Sequence, residues 1–204
     1  MTDGSEAVWP VAPSASCQEA VSELWTHLGF PPPPIEFVTP NFMPDQFRML
    51  LVHVDGMTAT LERHWHETIT IELLVDDISL EHRSLFRFVV LRTEHSRTAV
   101  ELAMIRIPMD VFSGKLRQAF IRANRPFGSL LAEAGIAFRA SPQAFFTFEA
   151  DRLVAENTAV AVGTQLYGRI NHLLRDDGVL LCETAEILPR ACSIPGEEKG
   201  QGGN

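Results

Sequence analysis

The chain has 204 residues, 46% of them apolar and 21% charged, a globular composition that excludes a disordered, collagenous or coiled-coil protein and fits roughly one domain. Lysine and arginine number 17 against 26 aspartate and glutamate, giving a formal net charge of −9. Such a surplus repels a phosphate backbone, so no nucleic-acid partner is expected.

Cys17, Cys182 and Cys192 form no CxxC pair, which speaks against a disulfide framework or a cysteine zinc site and for reduced thiols. The N-terminus has no basic region ahead of an apolar one, and no stretch reaches the ~20 apolar residues of a membrane span. A cytoplasmic protein without a membrane partner is the expectation.

Along the chain, residues 1–15 read as a loose lead. Ser16 and Glu19 then have capping-box spacing for a helix to about His27. Gly29 and the prolines 31–34 end it and form a stiff connector. These features divide the chain into a helix with connector (1–44), a main domain (45–192) and a tail (193–204).

Met57, Leu61 and Trp65 recur every four positions, which predicts a short amphipathic helix over 57–66. Strands are expected at 68–77, 85–93 and 99–108, the last two joined by a polar hairpin turn around Glu94–Arg97. Two helices joined by Arg125-Pro126-Phe127-Gly128 follow over 110–134. Strand patterns return at 136–140, 143–150, 159–174 and 179–189. Hairpin-linked strands with helices grouped in blocks predict an α+β fold built on a mainly antiparallel sheet, with helices packed on it.

Candidate chemistry begins with Arg87. By strand alternation it shares a face with Leu85, Val89 and Leu91, an apolar row on which a guanidinium demands an anionic partner. That partner is either a carboxylate on the next strand or a substrate carboxylate held by a bidentate fork. Glu186 lies in another apolar strand, where it could meet a substrate hydroxyl, move a proton, or pair with Arg87 or Arg169. Glu183, three residues earlier, points to the opposite face.

His64 and His66 are the tightest histidine pair, but helical residues two apart do not face the same way, so no metal is expected. GxSxG, P-loop and GxGxxG patterns are absent from the sequence.

Six segments in order resemble the chorismate pyruvate-lyase family: DGMTATLE (55–62), LFRFVVL (85–91), the strand ending at Pro108, RPFGSLL (125–131), YGRINHLL (167–174) and AEILP (185–189). The resemblance implies a chorismate lyase-like fold, shared with the effector domains of some repressors. It also implies a carbon–oxygen lyase that eliminates pyruvate from chorismate, or acts on a related cyclic carboxylic acid, to give 4-hydroxybenzoate without a cofactor. Its site would be Met57, Arg87, Phe127 and Glu186: Arg87 and the backbone near Met57 on the ring carboxylate, Glu186 at the ring hydroxyl, Phe127 over the ring.

Two departures stand out. Ala103 and Met104 occupy the place of a Gly-Arg pair, which removes a cation unless Arg106 or Arg169 substitutes, and Phe127 replaces a smaller aliphatic residue. Glu183 is a rival for the role of Glu186. The alternatives to the lyase are a non-catalytic small-molecule binding module of the same fold and an enzyme reusing the pocket for another substrate.

Overall fold

Runs rich in branched and aromatic residues form long strands, and short polar turns pair them in succession. In the computed structural model, which describes residues 15–79, 83–122 and 125–190, the strands are β1 (Glu36–Val38), β2 (Ile69–Ser79), β3 (Ser84–Thr93), β4 (Ala99–Pro108), β5 (Phe138–Glu149), β6 (Gln165–Arg175) and β7 (Leu180–Leu188). They make one seven-stranded sheet in the order β1-β5-β6-β7-β4-β3-β2, every neighbouring pair antiparallel. The α+β class and antiparallel sheet expected from the sequence are the ones observed.

Helices α2 (Asp45–Leu51), α3 (Met57–Trp65), α4 (Gly114–Arg122) and α5 (Phe127–Glu133) contribute to the core on one face, while α1 (Ala15–His27) and α6 (Arg152–Thr158) contribute to the core on the other. Covering both faces explains why β3 and β4 are buried almost throughout instead of alternating. Leu85, Val89 and Leu91 enter the core under α2–α5, and Phe86, Phe88 and Val90 enter the core under α1 and α6.

The division at residue 44 is therefore not a domain boundary. Val21 and Trp25 of α1 are buried against the sheet, and β1 extends the sheet by pairing Phe37 with Phe146. The prolines 31–34 carry the chain from α1 to the sheet edge within one unit. Of the expected lead at 1–15, residues 1–14 lie outside the described residues, as do Cys192 and the tail at 193–204, while Ala15 opens α1.

Three elements escape the periodicity: β1 is three residues long, and α2 and α6 span seven each, too short for a helical period to show. The start of α6 is legible in retrospect, since Asp151 caps it by accepting from the Val154 amide at 3.0 Å. The two strand patterns at 136–140 and 143–150 are one strand, β5, kinked by a bulge between Pro142 and Ala144. Proline lacks the donor that an unbroken ladder needs.

Candidate functional site

The loop of Asp55 and Gly56 launches α3, and Pro126 launches α5 at Phe127. Neither helix start has a side-chain cap. The ring of Phe138 lies against both: a Cβ at Gly56 would stand 3.6 Å from it and one at Gly128 3.4 Å. Between these helix starts and the sheet is a cavity of about 260 Å³. Its walls are mainly apolar, with Met57, Phe127 and Phe138 on one side and Leu91, Ala103 and Ile105 from the sheet on the other.

The sheet side also carries two acids. Ala103 of β4 pairs with Glu186 of β7, and Glu101 lies two residues before Ala103, so the two glutamates are diagonal neighbours on one face. Both line the cavity, and they are only 2% and 5% exposed.

Each oxygen of Glu186 has a protein partner and keeps capacity for a second. Its Oε2 accepts from Nε of Arg169, the residue opposite it on β6, and its Oε1 accepts from the Thr184 hydroxyl at 3.0 Å. Arg169 has no exposure, and its Nη1 donates to the backbone oxygens of Leu51 at 2.8 Å and His53 at 3.1 Å. The pair thus ties the sheet to the segment that leads into α3.

Glu101 stands otherwise. Its Oε2 is buried without a hydrogen-bond partner. Burial first, and then the negative charge of Glu186, push its carboxyl well above the usual carboxylate range, against a smaller opposing pull from Arg169. Buried Asn171, on β6 opposite Thr184, also has both amide atoms unpartnered. Burial raises the Cys182 thiol well above its ordinary value, as does Glu186, which leaves this cavity residue an inert thiol.

Met57, Phe127 and Glu186, named from the sequence, all line the cavity; Arg87 does not. Its guanidinium donates to Asp76 of β2 at 3.1 and 3.4 Å and to the Phe120 and Ile121 carbonyls at 2.7 and 3.3 Å. It therefore holds the C-terminal end of α4, where carbonyls lack helical partners and a cation is favoured. The placement of Arg87 on a substrate carboxylate is corrected accordingly, and the carboxylate on the next strand is its partner.

Glu183 points away from the cavity and pairs with His172 at 3.0 Å, a bond that lowers its carboxyl pKa. Arg106 is held by Glu23 and Glu183 on that same far side. Neither Arg106 nor Arg169, already paired to Glu186, replaces the cation missing at Met104. Among the described residues, no three His, Cys, Asp or Glu side chains are grouped to hold a metal ion.

Sequence reasoning missed Glu101 and Thr184 as parts of this site, while Arg169 is one of the two partners it offered Glu186. The signal for Glu101 was available: it alternates with Ala103 and Ile105 as Arg87 does with Val89, an acid on an otherwise apolar row.

No protein-family model matches the sequence, and no curated protein does. Solved structures do. The effector domain of PhnF from Mycobacterium smegmatis matches with a TM-score of 0.53 at 17% identity, over 66% of this chain and 88% of that one. PhnF from the same organism matches with a TM-score of 0.52 at 17% identity, over 66% of this chain and 64% of that one, so the match spans less than two thirds of that protein. A GntR-family transcriptional regulator from Enterococcus faecalis V583 matches with a TM-score of 0.43 at 10% identity, over 59% of this chain and 93% of that one. The similarity to PhnF establishes the fold, one shared with the effector domain of that protein.

The lyase assignment is overturned. The fold is shared with an effector domain, and the cavity lacks what a substrate with two carboxylates requires. Its lining residues include no Lys, Arg or His but do include Glu62, Glu101 and Glu186. Elimination of pyruvate from chorismate, the products 4-hydroxybenzoate and pyruvate, and the carbon–oxygen lyase class are withdrawn.

Proposed function

We propose that this chain is a small-molecule-sensing domain, a non-catalytic binding module that holds a compact ligand in the cavity between the sheet and helices α3 and α5. The observation that carries the reading is an apolar cavity of about 260 Å³ in the interior of an effector-domain fold, with polar groups confined to a few positions on its lining. Met57 and Phe127 are assigned to the ligand's apolar contacts and Glu186, held in place by Arg169, to its polar end.

Kinship with the chorismate pyruvate-lyase family belongs to this reading as a shared scaffold. The segments from Asp55 to Pro189 keep the order of that fold, while the cations that would bind an anionic substrate are elsewhere or missing. A cytoplasmic location accords with Cys182, a buried thiol, and with helices among the described residues that are too short or too polar to cross a membrane.

The test is a calorimetric titration of small aromatic and aliphatic ligands against the full chain, alongside Ala103→Leu, which narrows the cavity from the sheet side. Binding at one site per chain that weakens at least tenfold in Ala103→Leu is expected, with no pyruvate formed from chorismate. Ligand binding unaffected by Ala103→Leu, or stoichiometric pyruvate release, overturns the reading.

A further inference from the structure

We propose that the ligand carries a protonated primary amine on a compact apolar body, with the ammonium seated between Glu101 and Glu186. This rests on the cavity being a binding site and names the class of molecule that the site takes.

Charge is the first support. Three carboxylates line the cavity, from Glu62, Glu101 and Glu186, while the Arg169 guanidinium pairs with Glu186 through Nε and leaves Nη2 buried without a partner. Glu62 is itself engaged, accepting from the Ile69 amide at 3.2 Å. Glu101 thus has no counter-ion of its own, and a cationic ligand supplies one.

Hydrogen-bonding capacity is the second. Glu101 Oε2 is an acceptor on a side chain with 2% exposure, in a residue that lines the cavity, with no partner of its own. An unsatisfied buried polar group costs about 1–3 kcal/mol, and more when charged. An ammonium has three donors and no acceptor, which suits a row of carboxylate oxygens on one face of a sheet. Burial and Glu186 hold Glu101 neutral while it is alone; an ammonium alongside favours its ionised form, so the pair forms with two charges that satisfy each other.

Shape is the third. Glu101 and Glu186 occupy the sheet side, and Met57 of α3, Phe127 of α5 and Phe138 at the start of β5 supply bulky apolar wall. A volume of about 260 Å³ lies below the range of roughly 300–1,000 Å³ typical of drug-sized sites, which favours a single ring or short chain bearing one amine. Two aromatic walls also suit the face of such a ring.

The experiment uses 2-phenylethylamine and its neutral counterpart 2-phenylethanol, with phenylacetate as the anionic control, each titrated calorimetrically into the full chain and into Glu101→Gln. Glutamine keeps the size of the side chain and removes the charge. The expected result is an amine affinity at least tenfold above that of the alcohol, no measurable binding of phenylacetate, and at least a tenfold loss for the amine in Glu101→Gln that exceeds any change for the alcohol.

Equal affinity for amine and alcohol, tighter binding of phenylacetate, or an amine affinity indifferent to Glu101→Gln overturns the proposal while leaving the cavity as a binding site. Absence of binding by all three probes, together with a failure of Ala103→Leu to affect any ligand in the wider titration, overturns both.

Discussion

Glu101 is the residue whose chemistry is furthest from that of its free side chain. Its neighbours across the cavity and the sheet are Glu62 of α3, Glu186 and Cys182 of β7 and Arg169 of β6, so acids outnumber the single cation. Its folded pKa is raised above the unfolded value by burial and by Glu186. The folded state therefore binds more protons than the unfolded one above about pH 4.5, the ordinary carboxyl value, and stability falls as pH rises from there toward the folded pKa. The slope reaches about 1.4 kcal/mol per pH unit where only the folded form is protonated. Glu101→Gln is expected to remove this loss, so that its melting temperature exceeds the parent's at pH 7 to 8 and converges with it near pH 4. Thermal unfolding across that range checks it; equal pH dependence of the two proteins refutes it.

Among elements, β6 shows how tightly the site depends on strand spacing. Gly168 lies between Phe146 of β5 and the backbone of β7, and a Cβ there would come within 2.5 Å of the Phe146 ring and 2.6 Å of the Glu186 carbonyl. The second neighbour is backbone, so relief requires β6 and β7 to move, and Glu186 with them. Gly168→Ala is expected to cost about 1–3 kcal/mol through overpacking and to weaken ligand binding as well. Urea unfolding together with calorimetry on the variant tests both effects, and an unperturbed variant would show that the strands can separate freely. Arg87 works at the same scale. It anchors α4 through its last carbonyls.

For the whole molecule, the deciding feature is that both faces of the sheet are covered. Trp25 has no exposure, packs edge-on against Phe148 with ring centroids 5.3 Å apart, and donates its indole N–H to Asp151, the residue that caps α6. One tryptophan thereby couples α1, β5 and the start of α6. Trp25→Ala is expected to lose about 3–5 kcal/mol by cavity formation, with a single cooperative transition in guanidinium chloride. A smaller loss, or a separate early transition, would mean that α1 is an appendage.

The sequence by itself determined which segments are strands, that they pair through hairpins into an antiparallel sheet, and which side chains share a face, because a period of two residues is a local property of the chain. It placed Arg87 on the core face and Glu183 opposite Glu186 for that reason. It also brought Met57, Phe127 and Glu186 forward, through ordered segments that resemble a known family. Only the tertiary structure decided what each of those faces meets. Arg87 turns to α4 and Asp76, away from the cavity that Glu101 and Glu186 line. Of the two arginines that the sequence offered Glu186, Arg169 is its partner because β6 and β7 pair in the register that sets them opposite. Register and helix docking are chosen by the summed burial of residues far apart in sequence, and no local pattern carries that sum. The same limit hid the acidity of the cavity, since Glu62, Glu101 and Glu186 come from three separate elements, and their meeting overturned the anionic substrate that the motifs implied.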